Sequence, residues 1–422
     1  MLRGGAGVAV AMAVMNVGTY GFTLVAARML GPREYSAVAA LMGLLMIVNV
    51  LSLGLQATGA RQVASAPGDR AEIENRILVT ADRAAWVLGA VCLLLSPLVT
   101  HLFSLDSWWP AALVALTAVP LTKMGGQAGI FQGEKEWRPL AGIYLAMGLG
   151  RLACGGVGLL IAPNATGAMA GVLVGAVLPI IVGGTALRRR RGESAAAPEV
   201  RSVLREVSHN SHALLAFFAL TNADVVLARI LLDAHDAGLY AGGLILTKAV
   251  LFLPQFVVVI VFPSMAADNG DGGSQRMYLR GLALVGGIGI VATAGAFVLD
   301  DLAVVFVGGA EYAEIRSEVW AFAVLGTVLA MTQVMVYEVV ARQHRRAVYA
   351  VWAGLAVMLA VAPLLASETA LLATVVAINA VVLVGLVLFA SVSGRVPADA
   401  RADGDVERHG EVGSAGHLRP DE

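Results

Sequence analysis

Long apolar stretches alternate with short charged segments along the chain. Twelve of these stretches reach the roughly 20 apolar residues with which an α-helix crosses a hydrocarbon core about 30 Å thick. They predict an all-α, polytopic membrane protein, and we number the predicted transmembrane helices as spans 1 to 12. The spans lie near residues 6–27, 36–57, 84–103, 110–131, 140–161, 167–187, 210–232, 238–263, 278–300, 317–339, 347–366 and 369–393.

The positive charges of the loops predict how the spans are oriented. Lys and Arg total 29, and with the N-terminus placed in the cytoplasm the outer loops keep only Arg28, Arg33 and Arg316 of them. Most of the others fall in cytoplasmic segments, as the positive-inside rule requires. We therefore expect a multi-pass protein of the cytoplasmic membrane with both its N- and C-termini in the cytoplasm.

The longest cytoplasmic segment divides the spans into two sets of six. It covers residues 188–209 and begins with four consecutive Arg residues, which suit a positive-inside anchor or a contact with anionic lipid. The predicted domains are an N-terminal bundle at 1–187 and a C-terminal bundle at 210–393. The polar, charged tail at 394–422 has no apolar periodicity, and we predict that it is disordered and dispensable for transport.

A short sequence similarity relates the two halves. In each half the first span closes on Ala-Arg followed by two apolar residues, a short turn and a Tyr that opens the next span. The first copy contains Arg28 and Tyr35, and the second contains Arg229 and Tyr240. Because six spans separate the copies, the repeats enter the membrane from the same side. Parallel repeats of this kind predict two pseudo-symmetric bundles around a central cavity.

The composition favours a carrier over an enzyme. Only 14% of the residues are charged and 58% are hydrophobic, whereas a soluble domain has about a quarter of its residues charged. The sequence contains no phosphate-binding loop and no cluster of metal ligands, and Cys92 and Cys154 fall in apolar segments. We predict no catalytic residues, cofactor, metal site or nucleic-acid partner.

Four ionisable residues lie well inside spans, where they normally face a bundle interior or a wet cavity. Lys123, Arg151 and Lys248 are cations, and Asp224 is the only clear acid among them. Arginine binds phosphate through a bidentate fork and lysine acts as a point charge, so this excess of cations suits an anionic ligand. The alternative is that each cation ties helices together through a carbonyl or a local acid.

Polar side chains share helix faces with some of these residues. Asn222 and Arg229 are seven residues apart on span 7, as are Lys248 and Gln255 on span 8, and all four are assigned to substrate binding. Arg28 joins this set at an outer end, although Arg28 and Arg229 could also snorkel to the headgroups. Asp224 is a candidate proton or cation site, with a structural hydrogen bond as the alternative.

The chain resembles the polysaccharide-biosynthesis oligosaccharide flippases, in the superfamily that also contains multidrug and toxic-compound extruders and lipid II flippases. The resemblance covers nearly the whole membrane region, and two further spans that lipid II flippases usually have are absent. The segments that carry it are Ala26-Ala-Arg28-Met-Leu-Gly-Pro-Arg-Glu-Tyr35, Gly54-Leu-Gln56 with Ala60-Arg61, Asn222-Ala-Asp224-Val-Val-Leu-Ala-Arg229, Ala237-Gly-Leu-Tyr240-Ala, Lys248-Ala-Val-Leu-Phe-Leu-Pro254 and Phe262-Pro263.

The resemblance implies export of a lipid-linked, polyprenyl-pyrophosphate oligosaccharide by alternating access. Lys248, Lys123 and Arg151 would attract the pyrophosphate, while Arg28 and Arg229 would lie near the outer exit. The implied partners are the anionic lipid-linked glycan, membrane lipids and glycan-assembly membrane proteins.

Two alternatives stay open. A drug or metabolite extruder of the same superfamily, coupled to protons or sodium, predicts essential carboxylates in a cavity, and intramembrane acids are scarce here. A non-transporting scaffold or a glycan polymerase belongs to a different class. A polymerase should have a large outer loop, and the longest one, at about 301–316, is modest.

Overall fold

The structure, a computed structural model, describes residues 2–65, 70–188, 200–266, 273–341, 345–365 and 367–393. Within these ranges the chain is almost entirely helical, as the apolar pattern predicts. Its helices are α1 (Leu2–Val48), α2 (Val50–Ser65), α3 (Arg70–Leu102), α4 (Trp109–Gly133), α5 (Trp137–Ile161), α6 (Ala165–Arg188), α7 (Val200–Leu231), α8 (Ala234–Ala266), α9 (Gly273–Val298), α10 (Asp300–Val307), α11 (Val319–Ala341), α12 (Arg345–Val361) and α13 (Glu368–Ser393), with 3₁₀ helices at Ala310–Glu318 and Ala362–Leu364.

The helices account for twelve crossings. Eight helical segments in the described ranges are long and apolar enough to cross a membrane, and one of them, Ala6–Ser65, contains spans 1 and 2 together. The helices α4, α8 and α12 supply the three remaining crossings. The predicted all-α class and the arrangement of six helices in each half are therefore confirmed.

The turn between spans 1 and 2 is a sharp kink rather than an open loop. Gly31 has a φ of 66°, a left-handed conformation that glycine adopts without steric cost, and Pro32 follows it. A second, milder break falls at Asn49, between α1 and α2. The kink directs span 2 back across the membrane and places Arg28 at the outer end of span 1.

The corresponding turn in the second half ends in a helix cap. The carboxylate of Asp233 accepts hydrogen bonds from the backbone N–H groups of His235 at 2.8 Å and Asp236 at 3.2 Å. These bonds satisfy amides at the start of α8 that have no partner within the helix. The amide hydrogen bonds from Asp236 and His235 hold the pKa of Asp233 below its usual range.

Glycines allow the helices of the N-terminal half to approach closely. A methyl group on Gly18 of α1 would lie 2.5 Å from the carbonyl oxygen of Gly148 on α5. On the other side of α5, a methyl group on Gly150 would lie 2.9 Å from the carbonyl oxygen of Gly175 on α6. In membranes, such small-residue contacts replace the hydrophobic driving force that joins helices in water.

Two segments differ from the expected loops. The outer segment near 301–316 contains α10 and the 3₁₀ helix Ala310–Glu318, and α10 packs against that 3₁₀ helix, α8 and α9. The residues from Val200 to 209, expected in the linker, belong to α7. The predicted tail at 394–422 and the linker residues 189–199 lie outside the described residues.

Candidate functional site

The two halves touch at the ends that the predicted orientation places on the outer side, where the two equivalent turns face each other. A methyl group on Gly238, near the start of α8, would overlap the backbone carbonyl of Pro32 and lie 2.7 Å from its Cα. The buried hydroxyl of Tyr312 donates to the carbonyl oxygen of Ala27 at 3.2 Å. The outer side is therefore closed in this conformation.

Arg229, at the outer end of α7, bonds three atoms of the opposite half. Its Nε donates to the carbonyl oxygen of Phe103 at 2.9 Å, and its Nη1 donates to the hydroxyl of Ser36 at 2.7 Å. Its Nη2 lies 3.4 Å from the carbonyl oxygen of Ser104. Phe103 and Ser104 follow the last residue of α3, so the guanidinium sits at the negative end of that helix dipole.

Arg28, the equivalent residue of the first half, makes a cross-half bond in the opposite direction. Its Nη2 donates to the carbonyl oxygen of Val305 at 2.8 Å. Val305 lies in the last turn of α10, where carbonyl groups have no partner within the helix. The side chain is exposed, unlike that of Arg229, which is half-buried.

A buried acid and a cation approach each other in the C-terminal half. Asp224 is 1% exposed, and its Oδ2 accepts a hydrogen bond from the Tyr240 hydroxyl at 3.2 Å. Lys248 interacts electrostatically with Asp224 across α7 and α8 without reaching direct contact. Asn222 is also buried, and its amide donates to a carbonyl of its own helix at 2.9 Å.

Arg151 lies in the interior of the N-terminal half. It is 4% exposed, and its Nη1 has no hydrogen-bond partner among the residues that the structure describes. No ion pair with an acid forms at this guanidinium in the described ranges. Because an unpaired buried donor is costly, Nη1 is the position at which water or an anionic ligand would complete the hydrogen bonds of this guanidinium.

Amide side chains extend the polar interior of the same half. The Nε2 of Gln56 donates to the hydroxyl of Tyr144 at 2.7 Å and lies 2.9 Å from Oε1 of Gln132. These groups come from α2, α4 and α5, near the ends of the helices that are predicted to be cytoplasmic. Gln56 belongs to the segments that carry the family resemblance, whereas Gln132 and Tyr144 are not indicated by the sequence pattern.

Lys123 forms an ion pair with an acid on a neighbouring helix. Its Nζ lies 2.5 Å from Oδ1 of Asp82 and 5.0 Å from the ring centroid of Trp86, both on α3. The apolar pattern predicts that span 3 begins at 84 and so leaves Asp82 outside it, whereas α3 begins at Arg70. The sequence feature that indicates this ion pair is an acid at the same predicted membrane depth as Lys123 on a neighbouring helix.

The predicted site residues therefore fall into separate groups. Asn222, Asp224 and Lys248 lie together in the C-terminal half, and Arg28 and Arg229 lie at the closed outer end. Arg151 and Lys123 belong to two different places in the N-terminal half, and the side chain of Gln255 lies outside the part that the structure describes. Their assignment to substrate binding, and that of Asp224 to ion coupling, stay predictions.

A comparison with protein families identifies the relatives of the chain. The family described as "Polysaccharide biosynthesis protein" matches residues 4–267, which is more than half of the sequence. The chain belongs to this family. The resemblance to the polysaccharide-biosynthesis family is therefore confirmed. No curated protein matches it by sequence.

Solved transporter structures share the fold of this polysaccharide biosynthesis protein. An inward-facing multidrug resistance MATE family transporter of the MOP superfamily has a TM-score of 0.70 at 11% identity, over 92% of this chain and 100% of that one. The eukaryotic MATE transporter AtDTX14 has a TM-score of 0.60 at 14% identity, over 92% and 96%. A MOP superfamily transporter from Pyrococcus furiosus, whose binding pocket is described as having reverse polarity, has a TM-score of 0.56 at 14% identity, over 92% and 94%. At these identities the likeness establishes a two-bundle transporter fold.

Proposed function

We propose that this protein flips a lipid-linked, polyprenyl-pyrophosphate oligosaccharide across the cytoplasmic membrane by alternating access of its two halves. The family match supports a role in polysaccharide biosynthesis, and the fold supports transport. The observation that carries the choice of substrate is Arg151, a buried guanidinium in the membrane with an unpartnered Nη1. A diphosphate offers the acceptor oxygens that this group lacks.

The cations of the two halves suit different moments of such a cycle. Arg151 has no acid beside it in the described residues and would hold the pyrophosphate through its fork of donors. Lys248 is partly compensated by Asp224, so it would attract the headgroup more weakly and release it more easily. The sugars and diphosphate would pass between the halves while the polyprenyl tail stays in lipid. Glycan-assembly membrane proteins would supply and take up the carrier lipid.

A reconstituted flipping assay tests this function. Proteoliposomes would contain a fluorescent polyprenyl-pyrophosphate oligosaccharide, and an impermeant quencher would report how much of it reaches the opposite leaflet. We expect Arg151→Ala and Lys248→Ala to reduce the initial rate at least tenfold, the order expected when one charge-assisted hydrogen bond is lost. Arg316→Ala is the matched control, because Arg316 pairs with Asp301 at the outer surface and its loss should leave the rate unchanged.

Two outcomes would contradict the proposal. Full flipping activity in both Arg151→Ala and Lys248→Ala would remove these cations from the substrate path. Absence of flipping by the wild-type protein, together with gradient-driven efflux of an organic cation from the same vesicles, would favour the extruder. Lys123→Ala decides whether the cation paired with Asp82 also serves the headgroup.

The extruder remains the second candidate because of Asp224. A carboxylate that is 1% exposed inside a span is a suitable site for a coupling proton or sodium ion. It also serves the first proposal, since flipping against a concentration difference requires an energy source. The cargo, rather than the presence of Asp224, therefore distinguishes the two functions.

A further inference from the structure

We propose that Arg28 and Arg229 form two reciprocal latches that hold the outer ends of the halves together and must release before the protein opens outward. This inference rests on the proposed alternating-access function and assigns the outer arginines to gating. The side chain of each arginine extends from its own half and bonds a backbone carbonyl of the other half. Arg28 bonds Val305, and Arg229 bonds Phe103 and Ser104.

The acceptors lie at helix ends beyond the third crossing of each half. Phe103 and Ser104 end the third crossing of the first half, which is α3. Val305 lies in the last turn of α10, a short helix that follows α9, the third crossing of the second half, after the non-helical residue Leu299. The first span of the second half therefore caps the third span of the first, and the first span of the first half caps the short helix that follows the third span of the second. This exchange is the arrangement that a pseudo-twofold axis along the membrane normal generates.

The chemistry at both ends is that of a helix C-terminus. The last carbonyls of a helix lack intrahelical partners and carry a partial negative charge, which a cation stabilises. Ser104 has a φ of 48°, and the N–H of Leu105 turns back to the carbonyl of Thr100 at 3.0 Å. This left-handed turn ends α3 and leaves the carbonyls of Phe103 and Ser104 for Arg229.

Simple snorkelling does not account for these contacts. A snorkelling arginine directs its charged group into the headgroup layer and leaves the other half of the protein alone. Here the guanidinium of Arg229 makes its bonds within the protein, including one to Ser36, which is 1% exposed. Around Arg28, the Tyr312 hydroxyl bonds the neighbouring carbonyl of Ala27, and the rings of Tyr20 and Phe306 approach to 5.8 Å.

The two latches are unequal. Arg229 is half-buried and makes three cross-half contacts, whereas Arg28 is exposed and makes one. We expect Arg229 to contribute most of the closure and Arg28 to add a smaller share. Arg33 and Arg316 are matched controls: Arg33 is exposed on the same outer turn as Arg28, and Arg316 pairs with Asp301 inside its own half.

Distances between spin labels measure the closure directly. Labels would be attached at Pro163→Cys, in the outer turn between α5 and α6, and at Ser317→Cys, in the 3₁₀ helix of the other half. Both positions are exposed, and Cys92→Ala with Cys154→Ala would remove the native thiols. The full chain would be measured in lipid nanodiscs without substrate, so that the result does not depend on the identity of the cargo.

We expect Arg229→Ala to raise the ratio of the long-distance to the short-distance population roughly tenfold to a hundredfold, and Arg28→Ala to raise it less. Arg33→Ala and Arg316→Ala should match the wild type. If Arg229→Ala fails to fold, Ser36→Ala removes one of the Arg229 contacts at a site where Ala fits and should give a smaller shift of the same sign. Distributions for Ser36→Ala and Arg28→Ala that coincide with that of Arg33→Ala would overturn the latch.

The result is independent of the substrate assignment. A latch demonstrated in a protein that does not flip the glycan lipid would leave the gating mechanism standing and reject the proposed cargo. Flipping of the glycan lipid together with unchanged label distances in the arginine variants would support the proposed cargo and reject the latches.

Discussion

The contact between Gly238 and Pro32 gives the sharpest test of how the outer side closes. A methyl group at Gly238 would overlap the carbonyl of Pro32 in the other half and lie 2.7 Å from its Cα. Both obstacles are backbone atoms, so no side-chain rotation relieves them. Overpacking of this kind costs about 1–3 kcal/mol, and only the outer-closed conformation makes the contact.

Gly238→Ala should therefore shift the protein toward the outward-open state. A cost of about 1–3 kcal/mol changes the ratio of two conformations by a factor of roughly 5 to 150. The pair of spin labels at positions 163 and 317 would report this as growth of the long-distance population. In the flipping assay, the same variant should bind substrate from the cytoplasmic side less well because the inward-facing state is depleted.

Two other glycines separate closure from general packing. Gly18→Ala introduces an overlap with Gly148 inside one half, so it should lower the thermal stability without altering the label distance. Gly287→Ala meets nothing within 4 Å and should stabilise α9 by about 0.5–1 kcal/mol. If Gly238→Ala behaves like Gly18→Ala in both measurements, the contact is a packing feature of every conformation and the reasoning about closure is wrong.

Three further predictions follow from other contacts. A double-mutant cycle between Asp82 and Lys123, read by thermal unfolding, should give a coupling of about 0.2–1 kcal/mol because the pair is half-exposed; a value above about 2 kcal/mol would show a dry site. Asp233→Ala should destabilise the start of α8 by about 1 kcal/mol and speed hydrogen exchange there. Because the folded-state pKa of Asp233 is lowered, the wild type should lose this protection as the pH falls through that pKa. An exchange rate that is the same in Asp233→Ala and the wild type would contradict the cap. Asp224→Asn should abolish stimulation of transport by a proton or sodium gradient while exchange without a gradient persists, and retained stimulation would exclude Asp224 from coupling.

The sequence predicts the spans well because the bilayer imposes the pattern. Every span needs an apolar stretch of a set length, and cytoplasmic loops collect Lys and Arg, so both signals are written along the chain. The kink at Gly31 and Pro32 is also readable from local residues. The helical character of 301–316 is not, because α10 has only eight residues and depends on its packing against the 3₁₀ helix, α8 and α9.

The grouping of the charged residues was less predictable. Spacing along one helix assigns Lys123 to a face but does not say which neighbour that face meets, and Asp82 answers that only once α3 and α4 are packed. The partners of Arg28 and Arg229 leave no trace in the pattern, since they are carbonyl groups that every residue carries. Only the repetition of the Ala-Arg segment indicated that the two arginines act alike.

Phe103, Ser104 and Val305 bond the arginines through backbone carbonyl oxygens. The bonds therefore depend on where these carbonyl groups lie and not on the side chains of the three residues. Each of the three could be exchanged for another residue that keeps the end of its helix in place, and the bond to the guanidinium would survive. Correlated substitution between related sequences would consequently overlook this junction. An engineer wishing to retune it would have to alter the arginine or lengthen the helix that it caps.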